Sequence, residues 1–283
     1  MSTTHQNETE AGQRFEFGAN WARFLSVLND ERIEVARESV QRLLQCDDLG
    51  GRKFLDAGSG SGLFSLVARQ LGATVTSFDF DPQSVACTRE LKRRYCPDDD
   101  RWSIQQGSVL DSDFLTSLGT FDVVYSWGVL HHTGDMWNAF DHLVPRVDVG
   151  GRLAISIYND QGATSRRWLW IKKTYNRLPS VLQPLFLAAI VIPRELKYLA
   201  ISTLRLKPQE YIRHVRNYSS TSQRGMSYWH DLKDWVGGYP FEVATPAEVF
   251  QFFHDRGLNL RYLATTNGSG CNEFCFERTA AEA

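Results

Sequence analysis

No apolar run in the 283-residue sequence approaches the roughly 18 residues that a membrane-spanning helix requires. Net charge is also small. The 31 Lys and Arg residues against 33 Asp and Glu leave −2, which removes any general electrostatic pull on nucleic acid. The five cysteines, Cys46, Cys87, Cys96, Cys271 and Cys275, are odd in number and form no C-x-x-C pair. That argues against a disulfide framework and a zinc ribbon, and with no signal peptide visible it points to reduced thiols and a cytoplasmic setting. No internal repeat stands out, which excludes repeat architectures. What is present is ordinary for a globular protein: 42% hydrophobic and 23% charged residues, over a length that suits one large domain or one domain with a sizeable insertion.

Periodicity divides the chain. Residues 1–14 are mostly polar and lack periodicity, as expected of a flexible tail. Residues 15–50 read as an N-terminal helical cap, with one helix over 15–45 whose Ile33, Ala36, Val40 and Leu43 form a buried stripe. Strands are then expected at 53–57, 74–80, 102–106, 121–126 and 152–157, alternating with helices at 62–71, 82–95, 111–118 and 136–144. Such alternation with apolar strands implies an α/β fold with a parallel sheet covered on both faces. Residues 160–239 contain no convincing strand and read as a helical and loop insertion, its helices broken at Pro179, Pro184, Pro193 and Pro208. Segments 224–231 and 234–242 read as ordered loops because of their Gly and Pro. A helix at 246–256 and strands at 258–265 and 273–277 complete the sheet. The main domain thus comprises 51–159 and 240–279.

The strongest motif is FLDAGSGSG at 54–62. An apolar strand ends in Asp56, and Gly58, Gly60 and Gly62 follow before an amphipathic helix. Glycines there let the backbone turn sharply and approach a ligand closely. Asp79 closes the next strand, 23 residues later. A carboxylate at that point can accept both ribose hydroxyls of an adenosine. Asp81 fits as the N-cap of the next helix, with Pro82 at its first position. An NAD site would use a similar strand-loop-helix, but the G-x-G-x-x-G pattern is incomplete.

These motifs, with GSV at 107–109 and YSWGVLHH at 125–132, resemble successive motifs of the class I S-adenosylmethionine (SAM)-dependent methyltransferases, most closely the small-molecule branch that includes ubiquinone and menaquinone methylases. The resemblance covers 54–158 well and 246–278 as a generic sheet edge. It implies a Rossmann-like, mostly parallel seven-stranded sheet of order 3-2-1-4-5-7-6 and a helical lid inserted after strand five. It also implies SAM as cofactor, with Asp56, Gly58, Ser59, Gly60 and Gly62 beneath its methionine part and Asp79 and Phe80 at the ribose. Ser108 and Val109 would border the adenine, and Trp127 and Gly128 would line the floor near the sulfonium. The family often has Asp where Ser108 stands; Asp111 lies further on.

Acceptor chemistry is expected at the C-terminal ends of strands four and five and in the insertion. His131 and His132 end strand four, Tyr158 and Asn159 end strand five, and Tyr175 opens the insertion's aromatic set. His132 is the candidate base. The His131, His132 and Asp135 grouping lacks further metal ligands, and no metal is expected. His230, Asp231 and Glu242 are candidates for the substrate mouth. The aromatic segment 15–21 either folds back over the cofactor or packs on the sheet edge.

Between Ser165 and Arg216 the insertion holds eleven basic residues against Glu195 and Glu210, an excess of nine. That favours an anionic small-molecule substrate or another acidic partner. The apolar stretch 182–192 could touch a membrane surface, form a homodimer contact or be buried. Three functions remain open: methyl transfer to a small molecule, intramolecular cyclisation of SAM to azetidine-2-carboxylate with release of methylthioadenosine, and noncatalytic SAM or partner binding.

Overall fold

The computed structural model describes residues 4–15, 17–221 and 228–280. Seven strands form one sheet: β1 (Lys53–Ala57), β2 (Thr74–Asp79), β3 (Trp102–Gln106), β4 (Phe121–Trp127), β5 (Val147–Tyr158), β6 (Leu258–Ala264) and β7 (Cys271–Arg278). Their order is β3-β2-β1-β4-β5-β7-β6, as the resemblance implies. The first five strands run parallel, and β7 runs antiparallel to both β5 and β6.

The helices in chain order are α1 (Thr4–Glu10), α2 (Gly18–Leu25), α3 (Asp30–Leu44), α4 (Leu63–Gln70), α5 (Pro82–Tyr95), α6 (Ser112–Leu118) and α7 (Met136–Leu143). Then come α8 (Ala163–Arg177), α9 (Gln183–Leu204), α10 (Pro208–Thr221), α11 (Tyr228–Gly237) and α12 (Pro246–His254). Polar caps set several starts. Asp81 accepts from the Gln83 amide, as expected, and Asp111 from the Phe114 amide. Thr245 and Glu248 form a reciprocal capping box on α12.

The chain divides into two compact units. The first takes the residues up to Phe15 and Arg166–Tyr239; the second takes 16–165 and everything from Pro240 on, and contains the sheet. In the sheet unit Leu55, Val124, Leu153, Ile155, Phe253, Phe274 and Phe276 are fully buried in one continuous core. Phe253 and Phe276 pack with ring centroids 4.8 Å apart, which fixes α12 against the antiparallel edge. In the other unit the buried apolar residues include Ile171, Tyr175, Val191, Leu232 and Val236.

Five expectations are corrected. Residues Thr4–Glu10 of the expected tail form helix α1, and the Arg14–Glu8 ion pair at 2.8 Å ties the following turn back to it; residues 1–3 lie outside the described residues. The single helix over 15–45 is two. Asn29 is extended and its side chain accepts from the Arg32 amide, so the chain restarts there as α3. Pro193 does not break α9. Val191 and Glu195 on either side of it are buried, and that anchoring keeps the helix running through the proline. The loop expected from 234 contains the end of a helix: Tyr228, Leu232 and Val236 recur every four residues as the buried face of α11, and Gly237 ends it. Residues 222–227 and the side chains of His230 and Asp231 lie outside the described residues. Finally, β5 starts at Val147 rather than 152. It crosses an irregularity in the β4 pairing, where Gly150 takes φ +78°.

Phe276→Ala should cost about 3–5 kcal/mol, the usual range for deleting a fully buried phenyl ring. Urea unfolding of the purified protein checks this, and a loss below about 1 kcal/mol would show that the antiparallel edge is not part of the cooperative core.

Candidate active site

The loop after β1 leaves no room for a side chain at its three glycines. Gly58, Gly60 and Gly62 have φ of +88°, +54° and +83°, a region that L side chains rarely adopt. Space imposes the same demand. A Cβ on Gly58 would lie 2.3 Å from Val129 Cγ1, one on Gly62 2.9 Å from Thr88 Cα, and one on Gly60 3.1 Å from the Trp21 ring. Ser59 is buried, with its hydroxyl 3.0 Å from that of Thr88 on α5.

Two carboxylates flank this loop at the tips of adjacent parallel strands. Asp79 Oδ2 accepts from the Gly60 amide at 2.8 Å and Oδ1 from the Asp81 amide at 2.9 Å. Carboxylate oxygens each have a second lone pair, so these bonds leave acceptor capacity for a diol. Asp56 is 2% exposed and accepts from Ser65 Oγ on α4. Burial pushes its carboxyl up to about 7; the Ser65 hydrogen bond opposes this and the neighbouring Asp79 charge adds to it. Phe80 follows Asp79 and is half-buried.

The third expected motif divides. Val109 is buried, whereas the Ser108 hydroxyl accepts from the Leu110 amide at 3.1 Å and Asp111 is exposed as the α6 cap. Gly107 is fixed by packing, because a Cβ there would lie 2.2 Å from the Phe114 ring. In the fourth motif the Trp127 indole N–H donates to Glu273 Oε1 at 3.0 Å, and its ring lies 5.7 Å from that of Phe64. Gly128 then turns the chain with φ +74°.

Of the aromatic segment, Gly18 and Trp21 lie against the loop region. The Gly18 amide donates to Asp81 Oδ2 at 2.8 Å, and Trp21 stands against Gly60. A Cβ on Gly18 would sit 2.5 Å from Asp81 Oδ2, so this contact requires glycine. The pairing of Gly18 with Asp81 was not foreseen in the sequence, because 63 residues separate the partners.

At the ends of β4 and β5 the two histidines have different surroundings. His131 is fully buried; its Nδ1 accepts from the Tyr158 amide at 3.4 Å and its ring centroid lies 3.9 Å from that of Tyr158. His132 is 8% exposed, with Nδ1 2.6 Å from the Pro240 carbonyl oxygen. Since that oxygen only accepts, Nδ1 carries the proton and the lone pair of the neutral ring lies on Nε2. Phe17 and Tyr158 enclose the His132 ring at 4.9 and 5.4 Å, and Phe241 lies 5.3 Å from Tyr158. The Asn159 amide instead joins the sheet edge: Nδ2 donates to the Thr266 carbonyl and Oδ1 accepts from Asn272. Tyr175 lies on α8 in the other unit and is 3% exposed.

Glu242 accepts from the amides of Gly134 and Met136 at 3.0 and 3.1 Å, capping α7, where Asp135 makes no side-chain cap. Burial raises its carboxyl above the ordinary value, against those amide bonds. Its own amide donates to the His131 carbonyl, so Glu242 braces the histidine turn.

A methyltransferase-domain family model matches residues 28–200, more than half of the chain. The chain belongs to the class I SAM-dependent methyltransferase family. It is 32% identical over 135 residues to a mitochondrial ubiquinone biosynthesis O-methyltransferase of Schizosaccharomyces pombe, covering 48% of this chain and 47% of that protein. It is 33% identical over 116 residues to a ribosomal protein L11 methyltransferase of Halorhodospira halophila, covering 40% and 36%. The chain therefore matches about half or less of the length of these relatives. The crystal structure of magnesium protoporphyrin IX methyltransferase from Synechocystis with bound SAM superimposes with a TM-score of 0.51 at 13% identity, over 88% of this chain and 80% of that one. At that identity the match speaks for the fold alone.

The Asp56 titration sets a sign. Its folded-state value is raised from 3.8 to about 7, so its contribution to stability is complete below about 4 and is lost as pH rises through 7. Asp56→Asn should remove this slope and leave the ligand-free protein more stable than wild type at pH 8, by on the order of a few kcal/mol. Urea unfolding at pH 5 and pH 8 checks it; an unchanged slope in the variant would mean that Asp56 does not titrate in this window.

Proposed function

We propose that the chain transfers a methyl group from SAM to a small-molecule acceptor. One observation carries this reading. The loop at 58–62 is held open by glycines that exclude side chains, between a buried carboxylate and a second carboxylate on the next strand tip. The first can balance the positive charge of a methionine ammonium and sulfonium, and the second can accept a ribose diol. SAM, when bound, supplies a methyl group already activated on its sulfonium.

The residues then divide the work. Gly58, Ser59, Gly60 and Gly62 offer backbone to the methionine arm, Asp79 and Phe80 hold the ribose, and Val109 with the Ser108 backbone borders the adenine. Gly128 and Trp127 lie toward the methyl end, with Trp127 fixed by Glu273. Trp21 closes the loop from above and helps exclude water. His132 is the residue to take the acceptor proton, because its tautomer leaves Nε2 as the lone-pair nitrogen. His131 and Tyr158 position it, and Asn159 acts through the strand ends. Tyr175 belongs to the insertion, whose basic excess favours an anionic acceptor.

The matched relatives, a ubiquinone O-methyltransferase and a ribosomal protein methyltransferase, take unlike acceptors by name, so the likeness follows the cofactor half. That both are methyltransferases supports transfer over cyclisation.

Asp79→Ala should weaken SAM binding by about 2–3 kcal/mol, the cost of two hydrogen bonds to a charged group. Isothermal titration checks it, and unchanged affinity would remove Asp79 from the ribose. His132→Gln should lower kcat by about 10²-fold or more while leaving SAM affinity within about threefold. Mass spectrometry of the nucleoside product, with SAM alone and with added acceptors, tests the reaction class. S-adenosylhomocysteine formed only with an acceptor supports transfer; methylthioadenosine formed from SAM alone would overturn it in favour of cyclisation.

A further inference from the structure

Stretch 182–192 is buried at Val191 and partly exposed or exposed elsewhere. Along α9, Leu185 is 69% exposed, Ile192 54%, Leu196 60% and Leu199 37%. Their spacing of seven, four and three residues places them on one helix face, with the exposed Ala189 between. Val191 and Glu195 lie on another face and are buried, so α9 is anchored to its own unit on one side and bare on the other. Further exposed apolar side chains stand near both ends of the helix. Val181 before it is 77% exposed, and Leu204 and Leu206 at its C-terminal end are 84% and 87% exposed. Contiguous apolar surface of this kind marks an interaction site.

Charge distinguishes the occupants. Arg177 precedes the helix, Lys197 lies within it, and Arg205 and Lys207 follow it; all four are exposed. From 166 to 216 Glu210 is the one exposed carboxylate among the described residues, and Lys207 pairs with it at 3.0 Å. A symmetric dimer through this face would set one copy's Arg177, Lys197, Arg205 and Lys207 against the other's, with no acidic row to answer them. An anionic bilayer surface meets both demands at once, with acidic headgroups for the Arg and Lys side chains and an acyl boundary for the leucines. No described helix is long and apolar enough to cross a membrane, which fits a helix lying in the interface.

We propose that the face of α9 carrying Leu185, Ile192, Leu196 and Leu199, flanked by Arg177, Lys197, Arg205 and Lys207, docks on an anionic lipid surface. The inference goes beyond methyl transfer and does not depend on it, because lipid binding is scored without turnover.

Flotation of the full chain with vesicles of phosphatidylcholine, alone or mixed with phosphatidylglycerol, tests it. Binding is expected to the mixed vesicles and at least about tenfold weaker to phosphatidylcholine alone, with the difference shrinking at high salt. The double substitution Leu185→Glu and Leu196→Glu, at exposed positions, should reduce binding about tenfold or more with the thermal melting midpoint unchanged. Should that variant lose its melting transition, Arg205→Gln with Lys207→Gln supplies the same readout through charge alone. Absence of binding to mixed vesicles, equal binding to neutral ones, or undiminished binding by a folded variant would overturn the proposal. So would a dimer in analytical ultracentrifugation that the leucine substitutions dissociate, which assigns the face to a second copy.

Discussion

The hydrogen bond from the Gly60 amide to Asp79 ties the loop after β1 to the tip of β2, and the site is organised around it. The loop can reach Asp79 only because its backbone takes positive φ at three glycines, and it can remain there only because nothing projects from them. Thr88, Val129 and Trp21 press on the three positions from α5, the turn after β4 and α2. A side chain at any of the three glycines would press on one of three different elements, so the cradle and the packing around it are one constraint.

Burying Asp56 beside that loop is unfavourable in the absence of a ligand. The carboxyl is out of water and sits near a second carboxylate, which push it up to about 7 against the opposing hydrogen bond from Ser65. A cationic ligand would relieve the cost, so cofactor binding and ionisation of Asp56 are coupled in this arrangement.

The acceptor end depends on longer connections. Glu242 caps α7 and holds the His131 carbonyl, and the Pro240 carbonyl fixes the His132 tautomer. A segment that follows the helical insertion thereby orients the histidines that end β4. The insertion belongs to a compact unit with its own buried residues, and it also presents an exposed apolar helix face flanked by basic side chains.

The alternation of strands and helices, the glycine loop between Asp56 and Asp79 and the Asp81 cap were legible in the sequence, because strand alternation, positive-φ glycines and N-caps are local and leave their mark within a few residues, whereas the sheet order came from the family resemblance. Other features were decided only by contacts across the fold. The sequence named His132 as the candidate base without its surroundings, because the Tyr158 amide and the Pro240 carbonyl that distinguish the two histidines lie 27 and 108 residues away. It did not show the structural bonds of Glu242 and Asn159, a cap on α7 and a tie to the sheet edge, because their partners lie about 100 residues away. It took Pro193 as a break and Gly237 as a sign of loop, although buried neighbours carry α9 through the first and α11 ends at the second. Whether the leucines of α9 were buried had no local signature at all, since a helix shows the same spacing whether its apolar face meets a neighbour or solvent.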